Sequence, residues 1–467
     1  MMQSISLSQL AKQTSGDLIG PDAEFSSISI DSRTVAPSDL FIAIKGDRFD
    51  GHEFIETVEK SGCSLFVVSS DSEKMKKKLS RVSYLRVENT LLALGECGRI
   101  NRENFQGKVV GLTGSTGKTS TKNMLEAILS EKGATCATQG NFNNEIGVPL
   151  TLLKINTSHQ YAVVEMGARK IGDIAYLTQL VQPDVSILLN AGTAHIDIFG
   201  SQENIVKGKG EIFGALRPNG HAVVNLDDPA HLVWLEALQE KSVFSFSLTN
   251  KKADVFASEI VCQEQFTTYI LNYGGSKQEI RLPIPGEHNV ANSLAAAAAA
   301  LALGFDIKMI AKGLAGLAQS EGRLMTIPCS ESLELIDDSY NANPTSMKAA
   351  IDVLSLKNGC KIAVLGEMGE LGDFAQKLHI DVARHIANSH VDTVYLIGPY
   401  ASDMKKEIGE RAVVASSKQE ILEYLDKNDD IFSTNSRPLS EISVLVKGSR
   451  STAMDELVNM IIKKAAH

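Results

Sequence analysis

The sequence predicts an α/β protein with three domains, the central one built on a mostly parallel sheet. Short apolar runs alternate with amphipathic stretches along the whole chain, which is the pattern of strands covered by helices. The length of 467 residues exceeds that of a typical single domain. Hydrophobic residues make up 43% of the chain, enough for packed cores, so a disordered protein is excluded.

The first predicted domain, residues 1–86, is a small α/β unit. We expect strands at 25–30, 40–44, 64–68 and 84–87, and a helix at 52–60. Two polar patches follow predicted strands, one at Asp31-Ser32-Arg33 and one at Lys45-Gly46. Open α/β sheets bind ligands at such strand ends, although two plain polar turns explain the pattern equally well.

The second predicted domain, residues 87–321, is the central α/β unit. Strand patterns at 109–112, 161–164, 185–189 and 222–225 alternate with helical patterns, which predicts a parallel sheet covered by helices. Short alternating strands at 267–271 and 279–282 break this rhythm and predict an antiparallel flap over 253–283. The alanine-rich run 294–303 is too short to span a bilayer and predicts a buried helix.

The third predicted domain, residues 322–467, has a Rossmann-like, doubly wound pattern. Its expected strands lie at 333–336, 362–365, 393–397, 412–414 and 443–446, with helices between them. The glycines within 366–372 imitate a nucleotide-binding turn, but a tight acidic loop explains this stretch better.

Charge and cysteine usage narrow the class of protein. A net charge of -10 argues against a nucleic-acid binder, and the basic run at 74–78 is best explained as the solvated face of a short helix. Six scattered cysteines without a CxxC pair indicate reduced thiols, and the N-terminus lacks a signal pattern. We therefore expect a cytoplasmic enzyme without membrane insertion, and a monomer because no long exposed heptad pattern occurs.

A glycine-rich loop lies between a predicted strand and a predicted helix. It reads Gly114-Ser115-Thr116-Gly117-Lys118-Thr119-Ser120. Strand, glycine loop, Lys-Thr and helix in that order predict a P-loop, whose backbone N–H groups surround phosphate oxygens. Lys118 is then expected at the terminal phosphates and Thr119 at Mg²⁺. Leu112 stands where the strict pattern has glycine, and a turn without a ligand is the alternative.

Polar residues follow other strands of the central sheet. Glu165 and His195 come after two of them, on the edge where the P-loop is expected, and are candidate Mg²⁺ ligands. A partner for a helix N-terminus explains Glu165 as well, and a lone histidine is more often structural. Three asparagines, Asn141, Asn143 and Asn144, either cap turns or bind polar groups.

Further candidates remain open on pattern alone. Asn289 and Asn292 cap the alanine-rich helix or meet a nucleotide base, the cap being favoured. Lys207 and Lys209 are best explained as solvated lysines. In the third domain, the acid Asp338 lies at a strand end and is followed by Tyr340 and Asn343. The cations Lys447 and Arg450 follow another strand and suit an anionic substrate group, although solvent exposure is the default interpretation.

Taken together, these motifs resemble the Mur ligase family of ATP-dependent amide-forming enzymes of peptidoglycan synthesis. The resemblance covers the whole chain and rests on 113–119, 141–149, 164–167, 190–195, 209–213, 286–292, Arg323 and 338–344. The strings 340–344 and 365–372 resemble the subgroup that adds a D-Ala-D-Ala dipeptide. The Asp-Asn-Pro-Arg string, common in the subgroup that adds the third amino acid, is not in the sequence.

The resemblance implies a ligase that joins D-Ala-D-Ala to UDP-N-acetylmuramoyl tripeptide through an acyl phosphate, with ATP and two Mg²⁺ ions. It implies catalytic roles for Lys118, Glu165, His195 and Lys209, the last as a carbamate. Metal ligands are then Thr119, Glu165, His195 and carbamoylated Lys209. The implied nucleotide contacts are the glycine loop with Asn289, Asn292, Arg323 and Asp338. The implied substrate contacts are Ser32, Arg33, Lys45, Gly46, Asn141, Asn143, Asn144, Tyr340, Asn343, Lys447 and Arg450.

The sequence departs from the family pattern at two positions and leaves alternative functions to compare. Gly208 replaces a common alanine and Glu367 a common aspartate of the family. A GTPase needs Asn-Lys-x-Asp, and the nearest string, Asn250-Lys251-Lys252-Ala253, lacks the aspartate. A kinase, a non-catalytic nucleotide binder and a folylpolyglutamate-type ligase are rival functions as well. The third residue of the tripeptide, diaminopimelate or lysine, and the base for the incoming amine stay open.

Overall fold

The computed structural model describes residues 2–46, 49–69, 79, 82–238, 241–319, 321–427, 431, 432 and 441–466. The predicted α/β class is confirmed, and each sheet lies within one predicted segment. The boundaries after residues 86 and 321 stay predictions. The basic run at 74–78 lies outside the described residues. All six cysteines are free thiols.

The first segment carries a small mixed sheet in the order β2-β7-β6-β5-β4, in which β4 to β7 run parallel. The predicted strand at 25–30 is in fact two strands, because Phe25 pairs with a separate partner, β1, and Ile28 pairs with β5. The strands are β1 Ile5–Ser6, β2 Asp17–Ile19, β3 Glu24–Phe25, β4 Ile28–Ser29, β5 Leu40–Ile42, β6 Leu65–Val68 and β7 Ser83–Arg86. The helices are α1 Leu7–Thr14 and α2 Ile55–Lys60, the latter preceded by a 3-10 turn at Gly51–Phe54.

Helix α3, Thr90–Asn104, connects the first segment to the central one. It begins at the cap Asn89, whose side chain accepts from the N–H groups of Leu91 and Leu92. The buried Arg102 near its end donates to the carbonyls of Val181 and Gln182, at 2.8 and 2.9 Å. These bonds hold the helix to the central sheet, because unpaired buried polar groups are costly.

The central sheet runs in the order β16-β15-β14-β13-β12-β11-β8-β10-β9. Strands β8 to β14 pair in parallel, and β14 to β16 pair antiparallel. The predicted flap over 253–283 is therefore wrong: the antiparallel strands extend the main sheet, with Val255 paired to Phe246. The strands are β8 Lys108–Thr113, β9 Thr135–Ala137, β10 Tyr161–Glu165, β11 Val185–Leu188, β12 His221–Asn225, β13 Ser242–Ser247, β14 Val255–Cys262, β15 Thr267–Tyr273 and β16 Ser276–Leu282.

Helices cover both faces of this sheet. The alanine-rich stretch forms the buried helix that the sequence predicts, starting seven residues earlier; its small side chains at 295–300 let it pack closely on α4. The helices are α4 Lys118–Ser130, α5 Gly147–Lys154, α6 Asp173–Val181, α7 Ile196–Phe199, α8 Gln202–Gly210, α9 His231–Ala237, α10 Glu287–Ala302 and α11 Ile307–Ala315. Among the described residues, none of these helices has the length and apolar character that a bilayer crossing needs.

The third segment is a doubly wound sheet in the order β17-β18-β22-β19-β20-β21, parallel except for β17. Separate apolar clusters fill its two faces, as helices on both sides require. The strands are β17 Met325–Pro328, β18 Leu333–Asp338, β19 Cys360–Leu365, β20 Thr393–Leu396, β21 Ala412–Val414 and β22 Ile442–Lys447. The helices are α12 Pro344–Ser355, α13 Ala375–Ala387, α14 Ala401–Ile408, α15 Lys418–Lys427 and α16 Met454–Ala465.

Strand register brings the polar strand ends together. Glu165 at the end of β10 pairs with Leu112, and Leu188 at the end of β11 pairs with Thr113. In the third segment, Asp338 at the end of β18 pairs with Lys447 at the end of β22. Because the carboxyl ends of parallel strands share one edge, the loops that follow them form a common site.

We expect Arg102→Met to destabilise the protein by about 3 kcal/mol, because the buried carbonyls that Arg102 serves lose their donors. The midpoint of urea unfolding measures this loss. Arg99→Met on the same helix is the matched control: Arg99 pairs with Glu96 and Glu103 nearer the surface, and its loss is expected to cost less than about 1 kcal/mol. Equal losses in the two variants would contradict the role of Arg102.

Candidate active site

The glycine loop between β8 and α4 is held open by an asparagine. The side-chain oxygen of Asn190 accepts from the backbone N–H groups of Ser115 and Thr116, both at 3.0 Å. Gly117 has a φ of 80°, and a Cβ there would lie 2.2 Å from the side-chain oxygen of Asn292. Glycine is therefore required at 117 both by backbone conformation and by space.

The loop forms one wall of a cleft of about 1200 Å³. This volume exceeds that of a pocket for one small ligand, so a nucleotide and part of a second substrate fit together. Residues from the central and third segments line it. From the predicted glycine loop, all members except Gly114 are among the lining residues: Ser115, Thr116, Gly117, Lys118, Thr119 and Ser120.

The amine of Lys118 folds back over its own loop and donates to the carbonyl of Gly114 at 2.6 Å. Burial lowers the pKa of Lys118, while the charge of Glu165 opposes that shift. The amine lies among backbone oxygens at the mouth of the loop, the position from which a P-loop lysine meets phosphate.

Glu165 occupies the centre of the site and is 2% exposed. Its two oxygens accept from the Thr119 hydroxyl at 2.9 Å and from the Asn143 amide at 2.8 Å. Thr119 lies in the first turn of α4, so Glu165 also partners a helix N-terminus, as the alternative interpretation has it, through a side chain. A carboxylate and a hydroxyl side by side are hard oxygen donors, so the residues present fit Mg²⁺.

His195 lies on the same edge, immediately before α7, with a φ of 60°. Its Nδ1 atom is 2.6 Å from Oε2 of Glu370, which comes from the third segment. The imidazole beside it lowers the pKa of Glu370. Both residues line the cleft.

The interpretation of Lys209 as a solvated lysine is wrong. Lys209 on α8 is 1% exposed, whereas Lys207 on the same helix is exposed. Burial lowers the pKa of Lys209 well below its usual range, and the charge of Lys118 lowers it further. In the described part of the chain no carboxylate forms an ion pair with its amine, and Lys209 is not among the described residues that line the cleft.

Asn292 on α10 lies against Gly117 of the glycine loop, and Asn289 lies one turn earlier on the same helix. The favoured interpretation, that one of them caps this helix, is wrong, because the cap is Gly286 and receives no side-chain bond. Asn289 instead donates to the Pro285 carbonyl at 2.7 Å. Both asparagines line the cleft, as do the other predicted asparagines, Asn141, Asn143 and Asn144.

The third segment supplies the opposite wall. The guanidinium of Arg323 stacks 4.2 Å from the Tyr340 ring centroid. Lys447, 1% exposed, donates to Asp338 at 2.6 Å and to the carbonyl of Asn341 at 2.9 Å. Burial raises the pKa of Asp338, and Lys447 opposes the shift. Solvent exposure, the default interpretation of Lys447, is therefore wrong.

Two further predicted residues line the cleft and also make contacts within the third segment. Asn343 caps α12 and accepts from the N–H of Ser346 at 2.9 Å. Arg450 is exposed and lies 3.2 Å from a carboxylate oxygen of Asp455. With these contacts made, both Asn343 and Arg450 still line the cleft.

The four predicted residues of the first segment are not brought to this cleft. Among the described residues that line it, Ser32, Arg33, Lys45 and Gly46 do not occur. The guanidinium of Arg33 pairs with Asp31 at 2.6 Å and lowers the pKa of that carboxyl to about 2. These residues form a separate polar surface at the strand ends of the first sheet.

Comparison with known proteins assigns all three segments. Residues 24–99 match the family described as Mur ligase family, catalytic domain; residues 112–300 match the Mur ligase middle domain; and residues 322–450 match the Mur ligase, glutamate ligase domain. The UDP-N-acetylmuramoyl-tripeptide–D-alanyl-D-alanine ligase of Escherichia coli K12 is 37% identical over 462 residues, 98% of this chain and 99% of that protein.

The chain belongs to the Mur ligase family.

Solved structures of the family agree with this assignment. MurF from Acinetobacter baumannii superimposes with a TM-score of 0.92 at 38% identity, covering 99% of both chains. MurF from Thermotoga maritima, solved in complex with ADP, superimposes with a TM-score of 0.81 at 28% identity, covering 94% of this chain and 98% of that one. The predicted resemblance is thus confirmed, and the GTPase and non-catalytic alternatives fall away.

Two residues of this Mur ligase have site roles that sequence reasoning did not assign. Lys122 donates to the Thr138 carbonyl at 2.7 Å, and the Thr138 hydroxyl accepts from the N–H of Glu165 at 3.0 Å. Glu370 reaches His195 from the acidic loop. A signal existed for Lys122, which lies four residues after Lys118 on the same helix face. Nothing local indicated that the acidic loop faces the central segment.

A buried histidine of this Mur ligase, His379, holds the loop that carries Glu370. Its Nε2 accepts from the N–H of Met368 at 3.0 Å, and Nδ1 lies 2.7 Å from the Ala375 carbonyl. Burial lowers the pKa of His379, so the unfolded chain takes up the proton first as the pH falls below about 6.5.

Stability is therefore expected to fall on acidification, by up to about 1.4 kcal/mol per pH unit below 6.5 for this group. Thermal midpoints at pH 7.5 and pH 5 measure the fall. His379→Phe is expected to be less stable at pH 7.5 but to lose less between the two pH values. The exposed His390, changed to Gln, is the control and keeps the wild-type difference. An unchanged difference in His379→Phe would contradict the assignment.

Proposed function

We propose that this Mur ligase joins D-Ala-D-Ala to UDP-N-acetylmuramoyl tripeptide, consuming ATP and releasing ADP and phosphate. The observation that carries the proposal is the cleft in which the glycine loop and Glu165 face Arg323 and Asp338 of the third segment. The name of the Escherichia coli relative, which matches nearly full length, supports the choice of substrates.

The chemistry has two balanced steps. An oxygen of the tripeptide carboxylate attacks the γ-phosphorus of ATP; the bond to the β,γ-bridging oxygen breaks, ADP leaves with that electron pair, and an acyl phosphate forms. The amine of D-Ala-D-Ala then attacks the acyl carbon, the C–O bond breaks, phosphate leaves and the amine gives up a proton. The backbone N–H groups at 117–120 and the ammonium of Lys118 hold the phosphates in line.

Two anions must meet in the first step, so the residues around Glu165 matter most. We assign Thr119, Glu165, His195 and a carbamate on Lys209 as ligands of two Mg²⁺ ions. When bound, Mg²⁺ neutralises the charge between carboxylate and γ-phosphate. Glu165 is already oriented by Thr119 and Asn143, which reduces the reorganisation needed to receive a cation.

The carbamate assignment rests on the surroundings of Lys209. A buried amine with a lowered pKa and no carboxylate partner among the described residues spends more time neutral, and a neutral amine adds to carbon dioxide. Lysine carbamoylation replaces a cation that burial disfavours by an anion that a metal stabilises. Among the described residues, the aromatic ring beside the amine is that of Phe199, whose centroid lies 5.9 Å away and which supplies no negative charge.

The substrates extend over more than the cleft. Ser32, Arg33, Lys45 and Gly46 are proposed to bind the UDP-sugar, and the tripeptide arm then reaches the cleft. Adenine is assigned to Asn289 and Asn292, and the remaining proposed substrate contacts are Asn141, Asn143, Asn144, Tyr340, Asn343, Lys447 and Arg450.

Segments 1–86, 87–321 and 322–467 are proposed as the three domains. A cytoplasmic location and a monomeric state are proposed from the free thiols and the lack of heptads in the sequence.

Phosphate release is expected only when UDP-N-acetylmuramoyl tripeptide, D-Ala-D-Ala and ATP are all present. The experiment omits each in turn and measures phosphate, with mass spectrometry of the pentapeptide product. Replacing the dipeptide by single amino acids separates this ligase from Mur ligases that add one residue. Equal phosphate release with a single amino acid, or phosphate release without the dipeptide, would contradict the assignment of D-Ala-D-Ala as the substrate.

Lys209→Ala is expected to lower the rate at least about a hundredfold, because a metal ligand is lost. Lys207→Ala on the same helix removes an exposed ammonium and is expected to keep wild-type activity. After the carbamate has been removed, added bicarbonate is expected to raise the ligase activity of wild type and of Lys207→Ala, but not that of Lys209→Ala. Carbon-13 NMR with labelled bicarbonate reads the carbamate directly. Full activity in Lys209→Ala would refute the assignment.

A further inference from the structure

The third segment touches the central site at a place beside His195. Residues 366–374, which we name the acidic loop, follow β19 and end in a 3-10 turn against α7. At Gly372 a Cβ would lie 2.8 Å from the Cβ of Asp197, two residues after His195. Only a residue without a side chain permits this approach, so the contact is built into the backbone.

Two residues beside this contact, one in each segment, hold unusual backbone conformations. His195 and Glu370 each have a φ of 60°, in the left-handed region that costs a residue with a Cβ about 1 kcal/mol or more. The acidic loop is fixed from behind, because Met368 N–H donates to His379 and Ser449 N–H donates to the Glu367 carbonyl at 2.9 Å. Such strain persists where surrounding bonds impose it, as it does at functional sites.

The geometry decides which nitrogen of His195 is available. Nδ1 lies 2.6 Å from Oε2 of Glu370. The carboxylate therefore faces the Nδ1 side of the ring, which leaves Nε2, on the other side of the ring, to a ligand. Carboxylates that orient metal-binding histidines in this way are common, but here the carboxylate belongs to a different segment from the histidine.

We propose that Glu370 is a positioning residue that orients His195 for Mg²⁺ when the third segment closes on the central one. The inference rests on the proposed function, through His195 as a metal ligand. Because Glu370 belongs to the third segment and His195 to the central one, any gain in metal affinity from their contact also stabilises the arrangement that makes the contact, by the same free energy. The metal site is then complete only when the cleft is covered and water is excluded from the acyl phosphate.

The test measures metal binding rather than turnover. Mn²⁺ replaces Mg²⁺, and electron paramagnetic resonance gives its affinity for the full-length protein saturated with a non-hydrolysable ATP analogue. Glu370→Ala is expected to bind Mn²⁺ at least about tenfold more weakly, while Glu370→Gln, which keeps a polar side chain of the same length beside Nδ1, is expected to stay within about threefold of wild type. Asp373→Asn removes a charge from the same loop and is the control, expected to bind as wild type.

A second readout follows closure. Small-angle X-ray scattering of wild type is expected to show a smaller radius of gyration with Mn²⁺ and the analogue than with the analogue alone, and Glu370→Ala is expected to lose that difference. Wild-type Mn²⁺ affinity in Glu370→Ala, with His195→Ala impaired, overturns the positioning role but keeps the metal ligand. Normal Mn²⁺ binding in His195→Ala overturns the metal assignment in the proposed function, and the inference with it. An equal loss in Asp373→Asn overturns the specific role of Glu370.

Discussion

The buried carboxylate of Glu165 is the interaction on which the site depends. It ties the start of α4, through Thr119, to the asparagine-rich stretch, through Asn143, and its own backbone is bound by Thr138. A charge with so little exposure persists only if donors or a cation surround it. The glycine loop, β10 and the asparagine-rich stretch are therefore tied together by one carboxylate, which is also the group that we propose as a metal ligand.

Parallel-strand logic explains why part of this site could be predicted from the sequence. Thr119, Glu165 and His195 follow strands that the apolar pattern identifies, and strand ends of a parallel sheet converge. The pattern could not reveal burial of Lys209, because α8 is polar overall and only its packing against the core encloses that side chain. Likewise, whether 253–283 formed a flap or extended the sheet depended on pairing with β13, which lies outside local sequence.

The charges of the two walls differ in kind. In the third segment Asp338 and Lys447 neutralise one another, whereas Arg323, stacked on Tyr340, presents its charge to the cleft. In the central wall, burial and the charge of Lys118 both lower the pKa of Lys209. The phosphate that we propose at the loop and the carbamate that we propose at Lys209 each place an anion beside these amines.

This imbalance explains why the segments act together. In the proposed mechanism, an anion on the central wall attracts Arg323 of the opposite wall, and the acidic loop lies against α7, where Gly372 allows close packing. Glu370 places a negative charge beside His195. A negative charge there repels phosphate, but it supports a histidine that binds a cation. Nucleotide and metal thus favour closure through different residues, Arg323 and Glu370. A ligase that must protect an acyl phosphate from water gains from requiring both, since neither ligand alone satisfies every charge at the interface.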